Sequence, residues 1–227
     1  MPFLGQAVIA IWNDITPEGR ANFNEWHPRE HMPERVSIPG FRRGRRYIGT
    51  DAKIEFFTFY EADNIGVLTG PDYKARLNAP TEWSTRSVAA FRNNLRGVCQ
   101  VAFTAGHADG AHLATIRFDV KDWAEGKLRA ALSQKILPPL VERPEIVGAH
   151  LCIVDKALSG TNTSLQRTRT IGVPSWIVMI EGAAAAAVRA AADIVLASDL
   201  PGLGASPEII DEMYLLEYGL TKQPGAR

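Results

Sequence analysis

Apolar residues fall along this chain in runs of two periods. Residues 6–12 (QAVIAIW) are β-rich and almost wholly apolar, the pattern of a central strand covered on both faces. Thr16, Pro17 and Glu18 then supply an N-cap, a first-turn proline and an early acid. They predict a helix through EGRANFNEWHPREHMPERV, bent or broken at Pro28 and Pro33. Ile38-Pro39-Gly40 stops it. Residues 41–49 and 53–61 alternate as two strands about a short turn at Thr50-Asp51. Helical patterns cover 63–78 and then 80–94, and 98–104 reads as a closing strand. The order is βαββαβ.

The same order recurs. Ile11 and Asp14 match Ile116 and Asp119, and Val36 and Pro39 match Val141 and Pro144, all 105 positions on. Phe56-Phe57-Thr58-Phe59 matches Trp176-Ile177-Val178-Met179 at 120, the extra length falling in the polar stretch SGTNTSLQRTRTIGVP between two hairpin strands. The alanine-rich run 183–197 is a strong helix former, and strand 98–103 answers to 213–218. Residues 1–107 and 108–227 are therefore expected to form two tandem ferredoxin-like repeats of α+β class. One such unit covers a single face of its sheet with helices, yet these strands are apolar on both faces. The open faces should pack sheet to sheet as a pseudo-dimeric α+β barrel, in a monomer or homodimer.

Composition narrows the partners. Equal numbers of acidic and basic side chains give no footprint for nucleic acid or an anionic membrane. No apolar run is long enough to span a bilayer, and the N-terminus lacks a basic leader. Cys99 and Cys152, both in apolar runs, suit buried free thiols in a reducing cytoplasm. The barrel is expected to bind a small molecule.

The unusual chemistry lies in Trp26-His27-Pro28-Arg29-Glu30-His31-Met32-Pro33-Glu34-Arg35. On a continuous helix, Phe23, His27, His31 and Glu34 share one face, and Phe23 turns that face toward the sheet. Three readings stay open. Glu30 and Glu34 pair with arginines to fix the helix end; or His31 is an acid/base in a pocket where Arg35 or Arg46 holds an anion; or His27, His31 and Glu34 bind a metal. The repeat gives an internal comparison. His31, Glu34 and Arg35 map to Ile136, Pro139 and Leu140, while Arg42, Arg43, Arg45 and Arg46 map to Val147, Gly148, His150 and Leu151. The charge cluster is thus not demanded by the architecture, which favours a site in the first half. Along 41–47 the strand period puts Arg42 and Arg46 on one face and Arg43, Arg45 and Tyr47 on the other, where they clamp a carboxylate or fan into solvent. Trp12, Asn13, Phe57, Phe59 and Tyr60 offer a substrate-facing wall or plain core. His150 either reaches a second pocket or is satisfied locally, and His107 and His112 read as loop residues.

The string from Trp26 to Tyr47, with Leu77-Asn78-Ala79-Pro80-Thr81-Glu82-Trp83, resembles bacterial proteins of the EthD-like, dimeric α+β-barrel superfamily. Their pattern W-[YH]-x-x-E-H-x-x-E-R falls here on Trp26, His27, Glu30, His31, Glu34 and Arg35. The superfamily includes cofactor-free decarboxylases, isomerases, dehydrohalogenases and monooxygenases acting on aromatic or polyketide-like substrates, beside haem-dependent branches. The resemblance implies an enzyme of lyase or isomerase type, without cofactor or metal, acting on a small aromatic or carboxylated catabolic intermediate. His31 would move the proton, with Glu30 or Glu34 orienting it and holding its pKa near neutrality and His27 beside it. Arg35 and Arg46 would bind the anion, with Trp12, Asn13 and Tyr60 on the substrate side. The alternatives are a non-enzymatic small-molecule binder and a metal-dependent enzyme using His27, His31 and Glu34.

Overall fold

The computed structural model describes residues 2–159 and 175–223; most of the polar stretch read as an insert (160–174) lies outside them. Eight strands form one closed antiparallel barrel: β1 (Ala7–Ile15), β2 (Phe41–Asp51), β3 (Phe56–Ala62), β4 (Phe91–Gly106), β5 (His112–Phe118), β6 (Ile146–Val154), β7 (Trp176–Gly182) and β8 (Ile210–Thr221). Their order around the barrel is β1-β3-β2-β8-β5-β7-β6-β4. The two sheets are stitched by their long last strands. β4 pairs with β1 over 91–100 and with β6 over 99–106; β8 pairs with β5 over 210–215 and with β2 over 213–221. No helix among the described residues is long and apolar enough to cross a membrane.

The helices are α1 (Arg20–Trp26), α2 (Met32–Ser37), α3 (Ile65–Thr69), α4 (Pro71–Asn78), α5 (Glu82–Val88), α6 (Glu125–Ala131), α7 (Lys156–Ser159) and α8 (Ala185–Leu196). The first helix does not break at its prolines. It passes from α1 to α2 through a π turn at His27–His31, closed by Met32 N–H donating to His27 C=O. Pro33 has no N–H to give to an ordinary helical bond, so the wider turn ahead of it leaves nothing unpaired there. The second half repeats the device 105 positions on, with a π turn at Leu132–Ile136, Leu137 N–H on Leu132 C=O, and Pro138 next. The helix expected to reach 94 ends at Val88, because Phe91 already pairs with Ile15 on β1.

Strand alternation sorts side chains into an interior and two outer layers. Val8, Ala10, Trp12, Phe57 and Phe59 meet Leu113, Ile177, Met179 and Tyr214 inside the barrel. Outside, Ile9, Met32, Val36, Phe41 and Tyr60 form one helix–sheet layer, and Ile116, Leu128, Leu132, Val178, Val188 and Ala192 form the other. Positions equivalent between halves also meet inside. The Arg117 guanidinium lies 4.5 Å from the centre of the Trp12 ring, and Glu61 and Glu181 share Arg45. The barrel axis is thus also the axis of the pseudo-twofold. Burial pushes the Cys99 thiol up to about 12, and Cys152 higher than usual as well, so both are inert packing groups.

Candidate functional site

α1, the π turn and α2 lie across the outer face of the first-half sheet. Register sets Arg96, Ile11, Thr58, Arg46 and Tyr218 side by side on β4, β1, β3, β2 and β8, with Tyr60 one pleat along β3. From the helix side, His27, His31 and Arg35 descend on this row at a spacing of four. His27 is 4% exposed, Arg46 4%, Arg35 6% and Tyr60 1%. The His31 ring centre lies 5.3 Å from that of His27, 4.4 Å from Trp26 and 6.3 Å from Tyr60. Arg46 sits over the rings of Phe23 and Tyr218, at 4.7 and 4.8 Å, and its Nε donates to Glu217 at 2.6 Å.

This layer is rich in polar atoms that fold burial leaves without partners. His31 Nδ1, the Tyr60 hydroxyl, Arg46 Nη1, Arg96 Nη1 and Asn13 Nδ2 are buried, and no protein group among the described residues pairs with them. Each such group costs about 1–3 kcal/mol when desolvated unpaired. Four of the five are able to donate, so what completes the layer is an acceptor: water or an oxygen-bearing ligand.

The electrostatics differ from the sequence expectation. Burial, then the nearby Arg46, holds His27 well below its usual value; burial, then Arg35 and His27, does the same to His31. Both imidazoles are neutral at pH 7. The expected orientation and near-neutral tuning of His31 by Glu30 or Glu34 is corrected by where those carboxylates go. Glu30 Oε1 accepts from Trp26 Nε1 (3.1 Å), Ser84 Oγ (3.0 Å) and Thr81 Oγ1 (2.5 Å), tying the π turn to the start of α5. Glu34 pairs with Arg35 at 3.2 Å. The charges that act on the histidines are therefore cations. Glu30→Ala should cost about 1–2 kcal/mol by chemical denaturation, the worth of a partly buried charged acceptor with three donors.

The metal alternative is corrected too. Tyr218 occupies His27 Nδ1, Glu34 faces Arg35, and no three His, Cys, Asp or Glu side chains among the described residues come together to hold an ion. Trp12 is likewise not on this layer. It points into the barrel and stacks on Phe57 at 4.5 Å, while its neighbour Asn13 points the other way, toward the helix. Phe57 and Phe59 are interior as well. Arg43 and Arg45 also point inward, where Glu61, Asp109 and Glu181 take them up, so they clamp protein carboxylates. His150 is satisfied locally: Thr104 Oγ1 lies 2.8 Å from Nδ1, Glu181 3.2 Å from Nε2, and Phe3 stacks on the ring. Sequence reasoning missed Tyr218, Arg96 and Tyr73. Arg96 Nη2 donates to the Tyr73 hydroxyl at 3.2 Å, and all three reach the layer from distant elements with no local motif to mark them.

Solved structures share the barrel fold. An anthrone oxidase-like protein superposes with a TM-score of 0.60 at 13% identity, over 95% of this chain and 92% of that one. A monooxygenase-like protein of Fusobacterium nucleatum gives 0.64 at 7% identity over 96% of both. A heme-binding protein of Thermus thermophilus gives 0.50 at 8% identity, over 95% and 92%. The fold is the dimeric α+β barrel, closed within one chain. At these identities the likeness concerns the barrel alone. No family model matches the chain, and no curated protein matches it. The heme-binding protein among these neighbours raises the question whether this chain's residues fit a haem. An axially ligated haem needs an available imidazole beside a flat apolar slot. In the second-half layer the equivalents of His27 and His31 are Leu132 and Ile136, packed in a filled apolar cluster, and His150 has both nitrogens bonded. In the first half the Trp26 ring lies against His31 and arginines flank it. These residues do not fit such a haem.

Proposed function

We propose that the first-half helix–sheet layer is the active site of an enzyme that binds a small aromatic or carboxylated molecule and moves a proton on it, as a lyase or isomerase working without a cofactor. The observation that carries this reading is the set of buried, unpartnered donors on the same helix–sheet layer as one unpartnered imidazole. Arg46, Tyr60 and Arg35 offer hydrogen bonds and positive charge to a carboxylate or to oxygen that gains charge during reaction. His31 is neutral, and its free Nδ1 accepts the proton. Phe23 and Trp26 supply apolar surface for the rest of the molecule. The resemblance of Trp26–Arg35 to the EthD-like pattern supports the same assignment.

The test is turnover of a panel of aromatic carboxylates and phenols by the wild type and by His31→Ala. Loss of a general base should lower kcat by about a hundredfold or more, with the melting curve little changed. Full activity in His31→Ala overturns the role. Calorimetric binding that survives the substitution, with no turnover in the wild type, assigns a binding module instead. The pH profile adds a second check. A base held below the ordinary value of 6.5 stays competent down to acid pH, so kcat/KM should be flat above 6.5 and fall only on the acid side.

A further inference from the structure

The two imidazoles of this layer are four positions apart on the helix, with ring centres 5.3 Å apart, yet they have different partners. His27 is met by Tyr218 of the second-half strand β8, which the Arg46–Tyr218 register brings against β2. We infer that Tyr218 is a positioning residue: its hydroxyl donates to His27 Nδ1, which fixes His27 as a neutral donor through Nε2 and leaves His31 as the proton acceptor of the site. The site's function rests on the reading proposed above; the tautomer of His27 does not.

The direction of the hydrogen bond follows from the two groups. A phenol donates better than its oxygen accepts, and an unprotonated imidazole nitrogen is the stronger acceptor. The Tyr218 hydroxyl has no other partner among the described residues, so a bond in the opposite sense would leave its own hydrogen without a protein acceptor. The groups facing His27 are Arg46 from β2, Tyr218 from β8, and Phe23, Trp26 and His31 from its own helix. None is a carboxylate. Glu217, beside Tyr218, is taken up by Arg46. Nothing in this shell rewards a second proton on the ring, and a neutral ring that accepts at Nδ1 must carry its hydrogen on Nε2.

This makes the histidines unequal in a way their spacing does not suggest. His27 offers only N–H, while His31 has a free Nδ1. A closing strand from the second half thereby sets the chemistry of a site whose remaining groups come from the first.

The test is a multiple-bond proton–nitrogen NMR spectrum of the full chain labelled with nitrogen-15. There are five histidines, and His27 is assigned by the signals that vanish in His27→Gln. The wild type should show His27 protonated at Nε2 and bare at Nδ1 throughout pH 6–8. In Tyr218→Phe, which keeps the ring under Arg46, the His27 Nδ1 resonance should move toward the protonated position as the second tautomer becomes populated. Unshifted His150 signals in that variant report an intact barrel. A wild-type His27 protonated at Nδ1, or a His27 pattern unchanged by Tyr218→Phe, overturns the inference. A locked His27 in a protein that turns nothing over keeps this assignment and defeats the enzymatic reading, so the two fail separately. Where turnover is found, His27→Gln retains a donating nitrogen and should keep more activity than His31→Gln, which has no base; equal losses count against the assigned roles.

Discussion

Arg45→Leu is expected to cost about 3–5 kcal/mol of folding stability, the penalty for removing one partner of a buried ion network. Arg45 is 2% exposed and lies over the Phe59 ring at 4.4 Å. Its Nη1 donates to Glu181 at 2.6 Å and its Nη2 to Glu61 at 3.2 Å. Burial alone would raise the Glu181 pKa, but Arg45 and the bond from His150 outweigh it and hold the carboxyl well below the usual range. Without Arg45, Glu181 keeps only Gly110 N–H and His150 among the described residues, and the buried carboxyl must either stay charged with no full countercharge or take up a proton, each at a cost in stability. Urea denaturation at pH 7 measures the loss. Arg42→Ala is the control: it breaks an ion pair with Asp63 at the exposed edge of the same strand, and should change stability by no more than about 1 kcal/mol. Adding Glu181→Gln to Arg45→Leu should restore part of the stability, because the second change removes the stranded charge. A double variant that loses the sum of the two single losses would place the cost of Arg45 in packing rather than in charge.

That network also shows how far the sequence could be read. The architecture was legible because it rests on order and spacing, which a duplicated chain states twice. The offset of 105 carries α1 onto α6 and the π turn at His27–His31 onto the one at Leu132–Ile136. The comparison between halves was sound where it concerned the outer layer. His31, Arg35 and Arg46 are replaced there by Ile136, Leu140 and Leu151, so a second barrel half folds with an apolar layer in their place. It was misleading for Arg45. His150, its equivalent, is also polar, and both side chains address Glu181, so this position does serve the architecture. Residue type at matched positions hid a shared partner. Trp12 failed for another reason: adjacent strand residues point to opposite faces, and a wall built from neighbours in sequence mixes the interior with the outer layer. Tyr218 lies 191 residues from His27, and only barrel closure joins them. Glu30 reads in the motif as a carboxylate that orients His31, but its three donors come from Trp26 and from the start of α5, whose approach no local pattern announces.

The second large effect expected is loss of stability in mild acid, beginning near pH 6.5. Burial, then Arg46, holds the His27 pKa well below its unfolded value of 6.5, and burial lowers His150 against the partly opposing pull of Glu181. An unfolded chain at pH 5.5 binds protons on these rings that the folded chain refuses. Stability is therefore full above 6.5 and falls as pH drops toward the folded-state values. Each such histidine contributes a slope of at most about 1.4 kcal/mol per pH unit, so His27 and His150 together approach about 3. His31, held low by burial and by Arg35 and His27, adds to the slope in the same direction. Carboxylates with depressed values, Glu181 first, lose their contribution only below the ordinary carboxylate range, so the window between pH 6.5 and 4.5 belongs to the histidines. Urea midpoints across that window measure the slope, and His27→Gln should reduce it by up to half whatever it does to stability at pH 8. A wild-type slope of zero through this window would mean that the rings take up protons while folded. The first-half layer would then be wet enough to solvate an imidazolium, and a neutral His31 poised to accept a proton would lose its physical basis.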